Sequence, residues 1–166
     1  MSFAADVSFD AGGFTPSEAA GAFRDLADAL NRHLEQAATD IGELILGEAR
    51  QNAPVDTGDL RSRLEAVVET VGTTIVRVRV GTNRDGAAAQ EFGTDPGHFP
   101  PVSELRDWAR RVLGDADAAY PVARSIAETG LDEQPYLRPA FRENIERALT
   151  ILTDAVDDAF AEVGFT

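Results

Sequence analysis

Few side chains in this sequence of 166 residues could serve as a nucleophile, a general base or a metal ligand. Cysteine is absent, which excludes thiolate catalysis and zinc sites built on sulfur. The two histidines are His33, on the expected polar side of a helix, and His98, in a loop with several prolines. Neither has a second histidine at the spacing that metal-binding motifs use. The sequence therefore predicts that neither histidine is a catalytic base or a metal ligand.

Closely spaced carboxylates are the remaining candidates for chemistry, at Asp56 and Asp59 and again at Asp154, Asp157 and Asp158. Such pairs can bind a hard cation or act as acid and base. In a chain with 29 acidic residues, however, close pairs are expected by chance. Catalytic carboxylates also need pKa values shifted by burial in a cleft. We therefore predict no enzyme activity, no catalytic residue, no metal site and no cofactor, and a carboxylate-dependent hydrolase is the least favoured function.

Three short segments combine residue types that helix or strand formation alone would not select: residues 54–64, 90–94 and 135–140. In the third segment two prolines bracket an aromatic residue and a single arginine. Prolines present a side chain stiffly and at low entropic cost, and the arginine fork suits a carboxylate on a neighbour. The alternative is that the aromatic residues and Leu137 are core anchors and the arginine is a surface charge. We predict contacts between subunits through Glu91, Phe92, Gly93, Thr94, His98, Phe99, Tyr136, Leu137 and Arg138.

Two long helices are predicted to position these segments. The first begins at Thr15, which forms a capping box with Glu18 and is followed by proline, and it runs to about residue 52. The last covers about residues 137–163. At about 1.5 Å per residue the first helix is roughly 50 Å long, so part of its apolar stripe is expected to contact another subunit. The stripes are Phe23, Leu26, Leu30, Leu34, Ala37, Ile41 and Leu44 in the first helix, and Phe141, Ile145, Leu149, Leu152, Val156 and Phe160 in the last.

Alternating apolar and polar residues between the long helices predict β-strands. Two antiparallel strands are expected at residues 60–69 and 76–80, and a third at residues 87–92. Two short helices follow, the first capped by Ser103 and the second ending at Gly130. The predicted fold class is α+β, with the long N-terminal and C-terminal helices packed on a small antiparallel sheet of about three strands.

The order of four sequence features resembles the neck and tail-completion proteins of long-tailed phages and tailed archaeal viruses. The features are a long helix ending in residues 53–62, then Glu91 to Thr94, then residues 98–101 with Leu105 and Trp108, and finally residues 123–141. The resemblance implies a head-tail joining subunit that forms a homo-oligomeric ring of six or twelve copies. Such a ring joins the capsid portal region to the tail tube and lets DNA pass. The resemblance also implies neighbouring head-closure or adaptor proteins and tail-terminator or tail-tube proteins as partners, with no catalysis and no cofactor.

Length, composition and charge limit what remains possible for domain organisation, DNA contact and location. The length predicts a single domain over residues 1–166, with residues 1–14 as an extended N-terminal arm. The net charge of −14 opposes contact with phosphate backbones, so DNA is expected only as passing cargo and not as a sequence-specific ligand. Acidity without lysine favours a high-salt host over codon usage alone. We expect no membrane association and a location at the virion neck or tail end after synthesis in the host cytoplasm.

A second class of function stays open at this point. The long first helix could pair with a single partner, as in a soluble binding module or an antitoxin-like protein. The mass in solution separates the two readings, because a ring gives multiples of six and a binding module gives a one-to-one pair.

Overall fold

The computed structural model describes residues 15–71 and 75–164. The expected arm at residues 1–14 lies outside this part of the chain, as do residues 72–74 between the two expected strands. The elements are α1 (Pro16–Asn52), α2 (Asp59–Ser62), β1 (Glu65–Val71), β2 (Ile75–Gly81), α3 (Ala87–Phe92), α4 (Val102–Val112), a 3₁₀ turn (Ala116–Ala118), α5 (Ala119–Thr129) and α6 (Leu137–Glu162). The predicted α+β class, with long helices at both ends of the chain and an antiparallel sheet, is confirmed. Among the described residues no helix is long and apolar enough to cross a membrane.

Helix α1 begins at the predicted cap. The backbone N–H of Thr15 donates to the Glu18 carboxylate at 2.8 Å, and the Glu18 N–H donates to the Thr15 hydroxyl at 3.3 Å. Two of the backbone donors at the helix start are thereby satisfied by side chains of the same turn. Helix α1 continues for 37 residues and ends before Pro54, as the sequence predicts.

The two long helices pack directly against each other along a seam, and the residues that they bury are mostly small. Alanines are prominent among the buried residues: α1 buries Ala37, Ala38 and Ala49, and α6 buries Ala140, Ala155 and Ala159. Alanine on both surfaces allows a close approach of the helix axes. The core extends from the seam towards the loops and also includes Ile41, Ile45, Ala53, Leu60, Leu64, Ala87 and Tyr136.

Helix α6 buries a different face from the one that carries its large apolar residues. Of the six residues in its predicted stripe, five are between 37% and 58% exposed: Phe141, Ile145, Leu149, Leu152 and Phe160. On α1, Phe23 is 68% exposed, whereas Ala37 and Ile41 of the same stripe are buried. Both helices therefore carry the predicted apolar stripes. The residues that they bury are mostly small, however, and much of the large apolar surface faces outwards.

The sheet is a single β-hairpin that lies on α1. Strands β1 and β2 are antiparallel, with Val68 opposite Val78 and Glu69 opposite Arg77. The hairpin comes close to α1 at Gly42, where an added Cβ atom would lie 3.0 Å from Val78 Cγ2 and 3.2 Å from Ala66 Cβ. A side chain larger than hydrogen would therefore push the sheet away from the helix.

The two interior glycines of α1 allow a matched test of this contact. We expect Gly42→Ala to destabilise the protein by about 1 kcal/mol, because overpacking of about 1–3 kcal/mol outweighs the helix propensity gained. Gly47 has no atom within 4 Å of the position that a Cβ atom would take. Gly47→Ala should therefore stabilise the protein by about 0.5–1 kcal/mol. Urea unfolding of both variants measures the difference, and equal effects at the two sites would contradict the close contact.

Two predicted strand segments are helical instead. Residues 60–64 form the short helix α2 and the turn after it, and β1 begins only at Glu65. Leu60 and Leu64 are both buried while Ser62 is exposed, which is the four-residue spacing of a helix and not the two-residue spacing of a strand. The predicted third strand is helix α3, since alanine favours a helix over a strand. In the described residues the sheet therefore has two strands, not three.

Helices α4 and α5 form a separate hairpin with the 3₁₀ turn between them. Ser103 does not cap α4 as predicted, because the helix begins at Val102, two residues earlier than a cap at Ser103 implies, and Pro101 takes the cap position. The inward residues are mainly Ala109 and Ala123, both fully buried. An ion pair between Arg111 and Asp56 joins this hairpin to the loop that follows α1.

The C-terminal end of α6 is joined to the middle of α1 by a charged cluster. Glu162 accepts hydrogen bonds from Arg32 at 2.7 Å and from His33 Nε2 at 3.0 Å. The hydrogen bond from Arg32, followed by that from His33, lowers the pKa of Glu162 to about 2 from the usual 4.5. His33, predicted as a solvated polar-face residue, therefore helps to hold the C-terminal end of α6 on α1.

Candidate interface site

The predicted interface residues fall into two places in the fold. Residues 91–94 at the end of α3 lie against residues 136–138 at the start of α6. His98 and Phe99 lie in the loop before α4. The prediction that these residues contact other subunits stays a prediction, but the structure shows what each one contacts within its own chain.

Glu91 is the centre of the first group, and its carboxylate caps the N-terminus of α6. It is 2% exposed and accepts hydrogen bonds from three backbone N–H groups, those of Tyr136 at 2.7 Å, Leu137 at 2.9 Å and Arg138 at 2.9 Å. These are donors that a helix start leaves without intrahelical partners. A negative charge here also interacts favourably with the helix dipole. The Tyr136 side chain supplies no such cap, so a residue 45 positions away in sequence does.

Arg138, at the start of α6, completes this arrangement. Arg138 Nε lies 3.2 Å from the Glu91 carboxylate, while its Nη2 donates to the Glu91 carbonyl at 2.8 Å and to the Glu133 carboxylate at 2.6 Å. Its guanidinium also lies over the ring of Phe92, 5.1 Å from the centroid. We call Glu91, Arg138 and the three N–H donors the Glu91 clamp. The clamp joins α3 to α6 across the chain.

The electrostatics of the clamp keep Glu91 ionised. Burial is the largest single influence and raises the pKa of Glu91, because desolvation penalises the charged form. The hydrogen bonds from the N–H groups of Leu137, Tyr136 and Arg138 and from the Arg138 side chain together outweigh burial, so the pKa lies below its usual value. The buried carboxylate is thus a structural anion and not a proton donor near neutral pH.

Gly93 and Thr94 form a close backbone crossing beside the clamp. Thr94 and Leu131 exchange two backbone hydrogen bonds of 2.9 and 3.0 Å as an isolated antiparallel bridge. Gly93 has a φ of +70°, and an added Cβ there would lie 2.4 Å from the Leu131 carbonyl oxygen. Gly130 has a φ of +81°, and a Cβ on it would lie 2.2 Å from the Thr94 carbonyl oxygen. Both positions therefore require glycine for conformation and for space.

Tyr136 lies in the core and not on the surface. The sequence predicts an aromatic residue presented outwards by two prolines, but Tyr136 is 1% exposed and belongs to the hydrophobic core. Leu137 is half-buried against the same core. The alternative reading of these two residues as core anchors describes their place in the subunit. Phe92, by contrast, is 63% exposed and remains accessible to a partner.

The second place is the loop that leads into α4. His98 is exposed, and Phe99 is 48% exposed with its ring 6.2 Å from that of Tyr120 on α5. Tyr120 is itself 59% exposed. The pair forms an exposed aromatic surface beside the α4–α5 hairpin.

Sequence reasoning missed an apolar groove of about 570 Å³ between β2 and α6, with α1 as its floor. Val76 and Val78 line one wall, and Phe141, Ile145 and Leu152 line the other. The periodic stripe of α6 was the available signal. It could not show which residues face α1 and which remain open.

The described residues contain no group of three or more histidine, aspartate or glutamate side chains arranged to hold a metal ion. Asp59, one of the closely spaced carboxylates, accepts from Arg63 at 2.7 Å and from Arg84 at 2.8 Å. The hydrogen bonds from Arg63 and Arg84 lower the pKa of Asp59, so this carboxylate is held as a structural ion-pair partner.

Comparison with known proteins gives one match. Residues 18–93 match the HK97-gp10-like family model, whose description is "Bacteriophage HK97-gp10, putative tail-component". No curated protein and no solved structure matches the chain. The matched residues run from the first turn of α1 through the hairpin to the end of α3, and they include Glu91. The match supports the resemblance seen in the sequence: residues 18–93, somewhat less than half of the chain, are similar to a family of phage tail components.

Proposed function

We propose that this protein is a neck or tail-completion subunit that assembles into a ring of six or twelve copies. The ring joins the capsid portal region to the tail tube and lets DNA pass through its centre. Its neighbours on either side are a head-closure or adaptor protein and a tail-terminator or tail-tube protein. The family match supports the tail component, and the exposed apolar face of α6 supports the assembly.

The single observation that carries the proposal is the unpartnered stripe on α6. Phe141, Ile145 and Leu149 are 44%, 58% and 54% exposed, on a helix whose small residues are already used to pack on α1. Contiguous large apolar side chains on a protein surface mark sites of association. The apolar groove next to this stripe adds a concave surface for a partner.

The charge of the chain fits a passage for DNA. A net charge of −14 repels the phosphate backbone, so a ring of such subunits would hold DNA without binding it tightly. The same charge explains why a high salt concentration would favour assembly, since screening shortens to about 3 Å at 1 M and the repulsion between subunits falls. A location in the virion of a high-salt host follows as part of the proposal.

Native mass spectrometry and electron microscopy of the purified chain in molar salt test the assembly. We expect closed rings whose mass is six or twelve times that of the subunit. Ile145→Glu should abolish the rings while leaving the circular dichroism and the urea midpoint of the subunit nearly unchanged, because Ile145 is 58% exposed. Thr150→Glu adds the same charge at an exposed position of α6 away from the stripe and serves as the control.

A helix-mediated binding module is the competing function. It predicts a monomer alone and a one-to-one complex with a partner, with no ring under any salt condition. Viruses lacking this chain separate the two functions in vivo. A neck subunit should leave filled or leaking heads and unattached tails, whereas intact virions without the chain would contradict the proposal.

A further inference from the structure

Both outer edges of the β-hairpin are available for strand pairing. The sheet has only β1 and β2, and within residues 15–71 and 75–164 neither strand pairs with a third one. Each strand is seven residues long and rich in valine. A long unpaired edge is a template for pairing with another chain, and a two-stranded ribbon gains stability when further strands are added.

The two strands carry opposite charges on their outward face. On β1 the charged outward residues are Glu65 and Glu69, and on β2 they are Arg77 and Arg79. Within the hairpin the opposite charges already pair. Glu69 lies opposite Arg77 and forms an ion pair with Arg79 at 3.1 Å. One edge of the hairpin is therefore acidic and the other basic.

This polarity distinguishes the possible contacts between two copies. A two-fold dimer through β2 would place arginines against arginines, and one through β1 would place glutamates against glutamates. Like charges directly opposite each other destabilise a strand pair, and opposite charges stabilise it. The pattern therefore favours β1 of one copy beside β2 of the next, a head-to-tail contact that repeats around a ring.

The surroundings of β2 leave room for this contact. The apolar groove lies on the α6 side of β2 and is lined by Val76 and Val78 from the strand and by Phe141 and Ile145 from α6. A strand of the next copy added there would bring its inward residues Ala66 and Val68 over the groove. Its own α1 would then lie near the exposed stripe of α6.

The different widths of the strand layer and the helix layer favour closure of a row of such subunits into a ring. Each copy contributes two strands spaced by about 4.8 Å and two long helices spaced by about 8–10 Å. The helix layer is therefore about twice as wide as the strand layer beneath it. Repeated side-by-side addition must curve with the sheet on the inside and the helices on the outside, which is the geometry of a closed ring.

We infer that the subunits associate by strand addition, with β1 of one copy pairing antiparallel to the outer edge of β2 in the next copy, in the register that places Glu69 opposite Arg77. The occupant of the β2 edge is a second copy of this chain. The inference rests on the proposed function, since it names the surface through which that ring forms.

The lack of native cysteine allows a direct test by disulfide cross-linking. Val67 and Arg79 are outward residues at opposite positions of the hairpin register, so Val67→Cys and Arg79→Cys are made in separate chains. Under mild oxidation in molar salt, the mixture should form a covalent dimer at least about tenfold faster than a control mixture of Ser103→Cys and Ser125→Cys. Each single variant alone should stay uncross-linked. A second mixture, Glu69→Cys with Arg77→Cys, repeats the test if either first variant folds poorly.

The outcomes separate this inference from the proposed function. Rings with no cross-link in either mixture would overturn strand addition and leave the ring intact. Rapid cross-linking of Arg79→Cys with itself would show a two-fold contact and would also overturn it. A chain that stays monomeric at all salt concentrations would remove the proposed ring, and this inference with it.

Discussion

Replacement of Glu91 by Gln is expected to lower the free energy of unfolding by about 2–4 kcal/mol. The side chain accepts three backbone hydrogen bonds at the start of α6 and lies 3.2 Å from Arg138 Nε. A neutral amide has one acceptor oxygen and places an NH₂ group against these donors. Loss of hydrogen bonds to a buried charge costs about 1.5–3 kcal/mol, and removal of one partner of a buried pair costs about 3–5 kcal/mol. Urea unfolding at pH 7 measures the effect.

The same variant has a defined pH dependence. The pKa of Glu91 is lowered in the folded state, so its contribution to stability is present above the usual pKa of 4.5. The contribution is lost as the pH falls below 4.5 and through the lowered folded-state value. The stability gap between wild type and Glu91→Gln should therefore be full at pH 7 and shrink in acid.

Glu133→Gln is the matched control for the clamp. Glu133 also accepts a hydrogen bond from Arg138, at 2.6 Å, but its side chain is 55% exposed. Exposed ion pairs contribute about 0–1 kcal/mol, so this variant should be nearly as stable as wild type. Equal losses at the two sites would show that the charge on Arg138 matters and that the cap on α6 does not.

Replacement of Tyr136 by Ala is expected to destabilise the subunit by about 3–5 kcal/mol, the range for deletion of a large buried aromatic side chain. Tyr136 is 1% exposed and lies in the core with Leu64 and Ala140. This result would be the reverse of that for an exposed interface anchor, whose loss weakens assembly and spares the fold. Thermal and urea unfolding of the monomer in dilute solution distinguish the two.

Tyr120→Ala serves as the control for Tyr136. Tyr120 is 59% exposed and contacts Phe99 on the surface of the α4–α5 hairpin. Its removal should change the stability of the monomer by less than about 1 kcal/mol. A Tyr136→Ala protein that folds as well as Tyr120→Ala would be incompatible with the buried position of the ring.

Local patterns in the sequence were sufficient for the elements whose signals are local. The capping box at Thr15 and Glu18 and the apolar period along α1 predicted a 37-residue helix with its correct ends. The alternation in residues 76–80 predicted β2, which spans Ile75–Gly81. These features depend on neighbours within one turn or one strand, so one-dimensional spacing records them. The family resemblance was also recognisable from motif order alone.

The strand predictions for two short segments were wrong, because their local alternation conflicted with helix propensity. Residues 60–64 alternate in sequence, yet the burial of Leu60 and Leu64 on one side requires a helical turn. The alanines of α3 fit a short helix between Gly86 and Gly93 better than a strand. In both places the few residues fitted the spacing of a strand as well as that of a helix. Contacts with the rest of the core favoured the helix.

The interface prediction shows most clearly what tertiary structure alone decides. The sequence singled out Glu91, Tyr136 and Arg138 as unusual, and they do meet, but as a clamp within one subunit. Their partners are 45 to 47 residues apart in sequence, a distance over which no local pattern carries information. Likewise, the stripe on α6 was visible as a period, but its outward direction was not. That direction depends on which face of α6 packs on α1, and only the tertiary structure reveals that face. From residue types and spacing the sequence thus determined the two long helices, strand β2 and the resemblance to phage tail components, while burial and long-range hydrogen bonds decided which unusual residues hold the subunit together and which remain exposed.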